Sequence, residues 1–378
     1  MVVHHMSNSC SSLVIFLVLC FNQSYGVIIE RYVHGKHGRE SHDQSNGCDF
    51  FQGSWVYDQN TITPYNSSIC PFILQQFDCQ GNKRSDKLHL KYKWKPKSCE
   101  LPRFDGEDLL KRLKGKKIMF VGDSLSLNMW QSLTCMLHIA IPNSNFVIQR
   151  KSEVSIFTFL DYNVSILFSR NAFLIDLVSE EIGRVLKLDS IENGNSWKGF
   201  DMLIFNTWHW WLHKGRKQVW DYIQEGNKIY RDMDRLVAFE KGITTWSKWV
   251  DSNINPNITQ VFFQGISPTH YDDGEWKMSI NGTCNGQTQP IHGSLYPGGP
   301  HPSVFVMKEV LRKMSKPVTL LDITTLSQMR IDGHPSSYGS NGGKGNDCSH
   351  WCLPGVPDTW NQLLYAILVS KWRPKNIL

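Results

Sequence analysis

The chain lacks a long hydrophobic run: among its 378 residues the longest uninterrupted apolar stretch is Leu13 to Phe21. That is about half of the ~20 residues a membrane-spanning helix needs. It has no internal repeat, no low-complexity tract and no glycine-rich phosphate-cradling motif, so a tightly held nucleotide cofactor is not expected. It has no pairs of Cys and His at zinc-site spacing either. Cys348, His350 and Cys352 alternate, but no second pair stands where a tetrahedral site would need it, and no metal is expected. A long basic block is also missing. Forty Lys and Arg stand against thirty-four Asp and Glu, and a net charge of +6 spread along the chain permits an acidic polymer as partner without pointing to nucleic acid. A composition of 41% hydrophobic and 20% charged residues excludes disordered, collagen-like and coiled-coil chains.

What is present begins with the leader. The Leu13–Phe21 run has the length of a signal-peptide h-region, and the polar residues after it end in small ones suited to cleavage near Gly26. Its n-region carries His4 and His5 rather than Lys or Arg. A core helix is a poor alternative, because residues 26–47 are polar and offer it no apolar face. Residues 1–26 are therefore expected to be a signal peptide or a short signal anchor. Removing Cys10 and Cys20 with it leaves eight cysteines, Cys48, Cys70, Cys79, Cys99, Cys135, Cys284, Cys348 and Cys352, an even set that allows four disulfides. Asn66, Asn163, Asn257 and Asn281 open Asn-x-Ser/Thr sequons, which accept glycans only along the secretory route. The three features agree on a lumenal or extracellular compartment.

Residues 47–103 are dense in cysteine and aromatics and lack a helical period, which predicts a loop-rich, disulfide-stapled module. Beyond it, strands are expected at Ile118–Val121, Val154–Leu160, Val164–Phe168, Met202–Phe205, Gln260–Phe263 and Val318–Leu321. Helices are expected after Ser124 and over Tyr230–Asp251, Val304–Met314 and Thr359–Ser370. Alternating strands and helices predict an α/β domain around a mostly parallel sheet, over 104–378. The glycine-rich stretch Ser337–Gly345 reads as an exposed loop.

Three places carry chemistry. Gly122-Asp123-Ser124-Leu125 puts a serine between a strand end and the first turn of a helix, where free backbone N–H groups can stabilise an oxyanion and Gly122 permits the tight turn. Ser124 can equally be a simple N-cap. Asp347 and His350 lie three apart, so in a helix-like turn the carboxylate can orient the imidazole, and the imidazole can take the proton of a serine. Asn206-Thr207-Trp208-His209-Trp210-Trp211 follows a strand: Asn206 can donate to an oxyanion, and Trp208, Trp210 and Trp211 offer faces for sugar rings or fill the core. His209 stays ambiguous.

These motifs, with Asp347-Cys348-Ser349-His350-Trp351-Cys352-Leu353-Pro354-Gly355-Val356-Pro357-Asp358-Thr359-Trp360-Asn361, resemble the plant trichome birefringence-like family over essentially the whole chain. The resemblance implies a cysteine-rich N-terminal module packed on an esterase-like domain related to SGNH/GDSL hydrolases. It implies O-acetylation of a cell-wall polysaccharide (xylan, mannan or pectin class) in the Golgi lumen or membrane, with Ser124, His350 and Asp347 as triad and an acetyl-serine intermediate. Asn206 matches the family's oxyanion asparagine within altered surroundings. No cofactor is implied beyond an acetyl donor as co-substrate, and no obligatory protein partner. Disulfides Cys48–Cys99, Cys70–Cys135, Cys79–Cys352 and Cys284–Cys348 are implied as well. Relatives often carry a longer membrane anchor and stem, so a soluble or cell-wall form is the alternative here. An acetyl-esterase with the same triad, or a polysaccharide-binding protein without turnover, are the alternative activities.

Overall fold

A computed structural model describes residues 48–271, 283–339 and 346–372. The expected leader, the Asn281 sequon and most of the glycine-rich loop lie outside the described residues.

The elements run β1 (Gly53–Tyr57), β2 (Tyr92–Pro96), α1 (Gly106–Arg112), β3 (Lys117–Gly122), α2 (Ser124–Ala140), β4 (Phe146–Lys151), β5 (Val154–Phe159), β6 (Val164–Arg170), β7 (Asp176–Glu180), β8 (Gly183–Lys187), β9 (Met202–Phe205), β10 (Tyr222–Glu225), β11 (Lys228–Tyr230), α3 (Arg235–Asn253), β12 (Gln260–Gln264), α4 (Pro302–Lys313), β13 (Thr319–Leu321), α5 (Thr324–Gln328) and α6 (Val356–Trp372). A seven-stranded sheet in the order β13-β12-β9-β3-β6-β5-β4 forms the centre. Its first five strands are parallel, and the β5–β4 hairpin closes one edge antiparallel. The central parallel strands carry buried apolar runs, as burial on both faces requires: β3 holds Ile118-Met119-Phe120-Val121, all buried, and β9 Met202-Leu203-Ile204-Phe205 likewise.

The period of two divides those side chains between two layers. Ile118, Phe120, Ile166, Met202, Ile204 and Phe262 join one core with Leu125, Met129 and Leu133 of α2 and Trp360, Leu363 and Leu364 of α6. On the other face Phe205 and Phe263 meet Trp246 of α3 edge to face at 5.2 and 5.0 Å. Helix starts follow from acidic residues one position upstream. Asp105, Asp123 and Asp234 each accept a hydrogen bond from a first-turn N–H of α1, α2 and α3.

The cysteine-rich segment contributes the β1–β2 pair, with Trp55 opposite Trp94, and single turns of 3-10 helix. It is tied to the rest at several points. Trp55 donates to the Leu326 carbonyl at 2.7 Å, the Arg330 guanidinium lies 4.3 Å from the centre of the Trp55 ring, and buried Arg84 donates to the carbonyls of Asp332 and His334. Four disulfides join Cys48 to Cys99, Cys70 to Cys135, Cys79 to Cys352 and Cys284 to Cys348, in the pairing that the resemblance implied. Such cross-links belong to chains that fold in an oxidising compartment. Asn66, Asn163 and Asn257 are exposed. Among the described residues no helix is long and apolar enough to cross a membrane.

The sequence reading missed β4, α1 and a second sheet, β11-β10-β8-β7, in which β8 and β10 are parallel and the outer pairs antiparallel. Its strands are short and mix apolar with polar and charged residues, as in Asp176-Leu177-Val178-Ser179-Glu180, so no long apolar run marks them.

Candidate active site

Ser124 is the first residue of α2, at the carboxyl end of β3 and so at the edge of a parallel sheet where ligands gather. Asp123 caps the helix through Leu125 N–H at 2.9 Å, which leaves the Ser124 side chain free of capping work. The turn before it is crowded. A Cβ on Gly122 would lie 2.4 Å from Ser126 Oγ and 2.5 Å from the Asn206 carbonyl oxygen, so no larger residue fits without displacing backbone. Asn206 continues the adjacent strand β9, donating its N–H to Val121 O at 3.0 Å, and is buried beside Gly122 with Oδ1 unpartnered.

The second half of the site arrives from the far end of the chain. His350 Nε2 is 2.7 Å from Ser124 Oγ, and His350 Nδ1 is 2.7 Å from Asp347 Oδ2. With Asp347 ionised, Nδ1 carries the hydrogen and Nε2 is left as the acceptor for the serine hydroxyl. Asp347 Oδ1 accepts from the backbone N–H groups of Ser349 and His350 and from the Ser349 hydroxyl, at 3.0 to 3.1 Å. Burial pushes that carboxyl up, but the hydrogen bonds and charge of His350 with the backbone donors outweigh it and hold Asp347 well below the usual carboxylate range.

The segment is braced on every side. Asp347 forms an isolated bridge with Ser336, and disulfides hold Cys348 and Cys352 on either side of His350. Asn128, one turn along α2 from Ser124, accepts from Trp351 N–H at 2.8 Å and donates to Trp351 O at 3.1 Å, locking both halves together. Phe77 of the cysteine-rich segment lies against the His350 ring at 5.5 Å. The sequence reading gave Asn128 no role, although it stands four residues after Ser124, at the helical spacing that a bracket to the same site requires.

The tryptophan cluster divides. Trp211 is fully buried and donates to Thr207 Oγ1 at 2.8 Å. Trp208, expected at the substrate, is 1% exposed, with Phe239 at 4.8 Å and His301 at 5.3 Å. It is a core residue and offers no face to a sugar. Trp210 keeps a partly open ring with the Arg170 guanidinium 5.4 Å from its centre. His209 donates from Nε2 to the Ser267 carbonyl at 2.8 Å, and burial lowers its proton affinity, partly offset by the nearby Asp123 carboxyl. Burial likewise pushes the Asp123 carboxyl up. Among the described residues no group of three or more His, Cys, Asp and Glu side chains is arranged to hold a metal.

Residues 101–367 match the PC-Esterase model, described as a GDSL/SGNH-like acyl-esterase family found in Pmr5 and Cas1p, and residues 46–100 match the PMR5 N-terminal domain. The chain is 55% identical to protein trichome birefringence-like 38 of Arabidopsis thaliana over 326 residues, 86% of this chain and 85% of that one. The chain belongs to the trichome birefringence-like family. With trichome birefringence-like 42 of the same plant it shares 50% identity over 95% of its own length and 97% of the relative's. Trichome birefringence itself is 41% identical over 86% of this chain, and the match covers 56% of that longer relative. Over most of its length the chain thus carries a domain of a GDSL/SGNH-like acyl-esterase family.

Proposed function

We propose that the protein is a polysaccharide O-acetyltransferase working through an acetyl-serine on Ser124. The observation that carries this reading is the continuous chain Ser124–His350–Asp347, with both hydrogen bonds at 2.7 Å. In the first half-reaction Ser124 Oγ attacks the carbonyl of an acetyl donor while His350 Nε2 takes its proton. The oxyanion is met by the free N–H groups at the start of α2 and by the Asn206 amide. Collapse breaks the donor's acyl bond, and the imidazolium returns the proton to the leaving group, leaving acetyl on Ser124. In the second half-reaction a sugar hydroxyl gives its proton to His350 and attacks that ester. The new sugar acetate leaves, and Ser124 Oγ regains the proton. Asp347 holds the ring in the working tautomer and balances its transient charge.

Trp210 with Arg170 beside it is the part of the aromatic cluster suited to a sugar ring. A net charge of +6 leans toward a polymer that carries acid groups, such as pectin or a glucuronosyl-substituted xylan. The eight paired cysteines and the sequons fit work in the Golgi lumen, where wall polysaccharides would meet the enzyme before export.

A second reading, an acetyl-esterase on the same triad, is favoured by one feature: the His350 and Asp347 side chains are 22% and 24% exposed, so water can reach the acyl-enzyme. One experiment separates the two. The glycosylated protein is given a labelled acetyl donor with and without xylan, mannan and pectin oligosaccharides, and acetylated sugar and free acetate are both followed. Acetylated sugar that disappears in Ser124→Ala supports transfer. Acetate release from acetylated oligosaccharides without transfer to any acceptor makes the protein an esterase. Turnover that survives in Ser124→Ala overturns both.

A further inference from the structure

Beneath His350 lies a buried pair that the proposed reaction leaves unused. His270 Nδ1 and His334 Nε2 are 2.6 Å apart, and both residues are at most 1% exposed. Each outer nitrogen faces a carbonyl: His270 Nε2 is 3.0 Å from Gln328 O, and His334 Nδ1 is 2.6 Å from the carbonyl oxygen of His350 itself. A carbonyl oxygen only accepts, so both outer nitrogens must carry hydrogen. Between the rings one further hydrogen is needed, because two lone pairs facing at that distance repel. Two neutral imidazoles supply two hydrogens; the arrangement has places for three.

We propose that His270 and His334 share one extra proton as an imidazole–imidazolium pair, and that this pair is a positioning element holding the His350 backbone in register with Ser124. The surroundings suit one positive charge. The Gln328 and His350 carbonyl dipoles point at its two ends, and Trp351 stacks on His334 at 4.1 Å and 25°, presenting its ring face. The Asp332 and Asp347 carboxylates act on the pair from their own segments. The nearby cations are already engaged: Arg330 is bonded twice to Asp332, and Arg84 donates to the carbonyls of Asp332 and His334. His350 acts on the pair from beyond its own carbonyl. A second proton is refused. Burial opposes the first one too: it pushes His270 down to about 4 and, together with the charge on His270, pushes His334 well below the ordinary imidazole range, so the shared proton is kept by the short bond between the rings, the two carbonyls and the carboxylates.

The effect on rate rests on the reading of Ser124 and His350 as catalytic; the proton count does not. Two measurements keep them apart. Nitrogen-15 spectra of the intact, histidine-labelled protein at pH 7, assigned with His270→Gln and His334→Phe, should show three protonated ring nitrogens over the two rings. Two neutral rings with one N–H each would overturn the pair. The second measurement is the rate at which a fluorophosphonate labels Ser124. His334→Phe keeps the stack on Trp351 but cannot donate to the His350 carbonyl, and should label roughly 10- to 100-fold more slowly. His270→Ala should be slowed as well, whereas His270→Gln, whose amide donates to His334 Nε2 without an added proton, should recover most of the loss. The wild-type rate should fall at the pH where the shared proton leaves, and His270→Gln should not show that fall. Wild-type labelling in His334→Phe would overturn the positioning role. If His334→Phe fails to fold, equal rates in His270→Ala and His270→Gln would do the same. Absence of labelling in the wild-type protein would sink the catalytic reading and leave the proton count standing on the spectra.

Discussion

Ser124 is held by its neighbours in sequence, whereas Asp347 and His350 are held by residues far away in it. On the serine side a buried strand, a glycine turn and an aspartate cap follow one another from Lys117 to Leu125, and the position of Ser124 is a consequence of local geometry. On the acid–base side among the described residues no helix or long strand carries the pair. Instead the segment is pinned by Cys79 and Cys284 through disulfides, by Ser336 through a bridge, by Asn128 from α2 and by His334 from below. The first arrangement needs a few residues to be right; the second needs the whole fold to be right. An enzyme built so should fail in different ways when each side is disturbed.

The largest effect is expected where the proposed proton transfer takes place. Asp347→Asn removes the acceptor that fixes the His350 tautomer and balances its charge, and should lower turnover by roughly 10³- to 10⁴-fold with the fold intact. A variant within tenfold of wild type in an acetyl-transfer or acetate-release assay would remove Asp347 from the mechanism. On the serine side the sharpest break is Gly122→Ala. Its Cβ would sit 2.5 Å from the Asn206 carbonyl, and that backbone cannot move away as a flexible side chain can. The expected cost is about 1–3 kcal/mol of stability and, because Ser124 shifts with the turn, roughly 100-fold in rate. Denaturant melts and fluorophosphonate labelling of one preparation read both.

The two sides also differed in how readable they were. Ser124 stands at the junction of a four-residue apolar run and a helical period, so strand, turn and helix could be placed from the residues alone, and β3, β6, β9 and β12 lie where apolar runs put them. Asp347 and His350 showed only a spacing of three; what brings them to Ser124 is long-range tethering, which no local pattern encodes and which entered the reading through the family resemblance. The same limit explains the misplaced Trp208. Three tryptophans in four residues announce a cluster, but only tertiary packing decides which faces stay open, and Phe239 and His301 close this one. His270 and His334 escaped notice for a related reason, since they are 64 residues apart and meet only in the folded core.

A smaller effect tests the tethers directly. Replacing both Cys284 and Cys348 by serine frees the residue next to Asp347, whereas replacing Cys48 and Cys99 frees only the start of the cysteine-rich segment. The loops closed are similar, 64 and 51 residues in separation, so each double variant should lose about 2–4 kcal/mol. Only the first should also slow labelling of Ser124, by roughly tenfold. Equal rates in the two variants would show that the other braces suffice to hold the acid–base side.

The smallest effect concerns the point where the two sides share a support. Asp358, in the first turn of α6 just after the acid–base segment, accepts from Ser132 of the serine-bearing helix at 2.6 Å, from Tyr65 at 2.8 Å and from Gly355 N–H at 2.8 Å. Burial outweighs these three donors and raises its carboxyl from 3.8 to about 6. A carboxyl raised on folding stabilises the folded state fully below its unfolded value, and that contribution is lost as pH climbs through the folded value. A shift of this size corresponds to about 3 kcal/mol lost between roughly pH 4 and pH 7. Other carboxylates slope the opposite way, Asp347 among them, so the total curve hides the effect. The difference between wild type and Asp358→Asn isolates it. Measured by urea melts across that range, wild-type stability relative to the variant should fall with rising pH and level off above about pH 7. A flat difference would mean that Asp358 is ionised in the fold throughout, its three donors outweighing its burial, and that the shared support is an ordinary charged anchor.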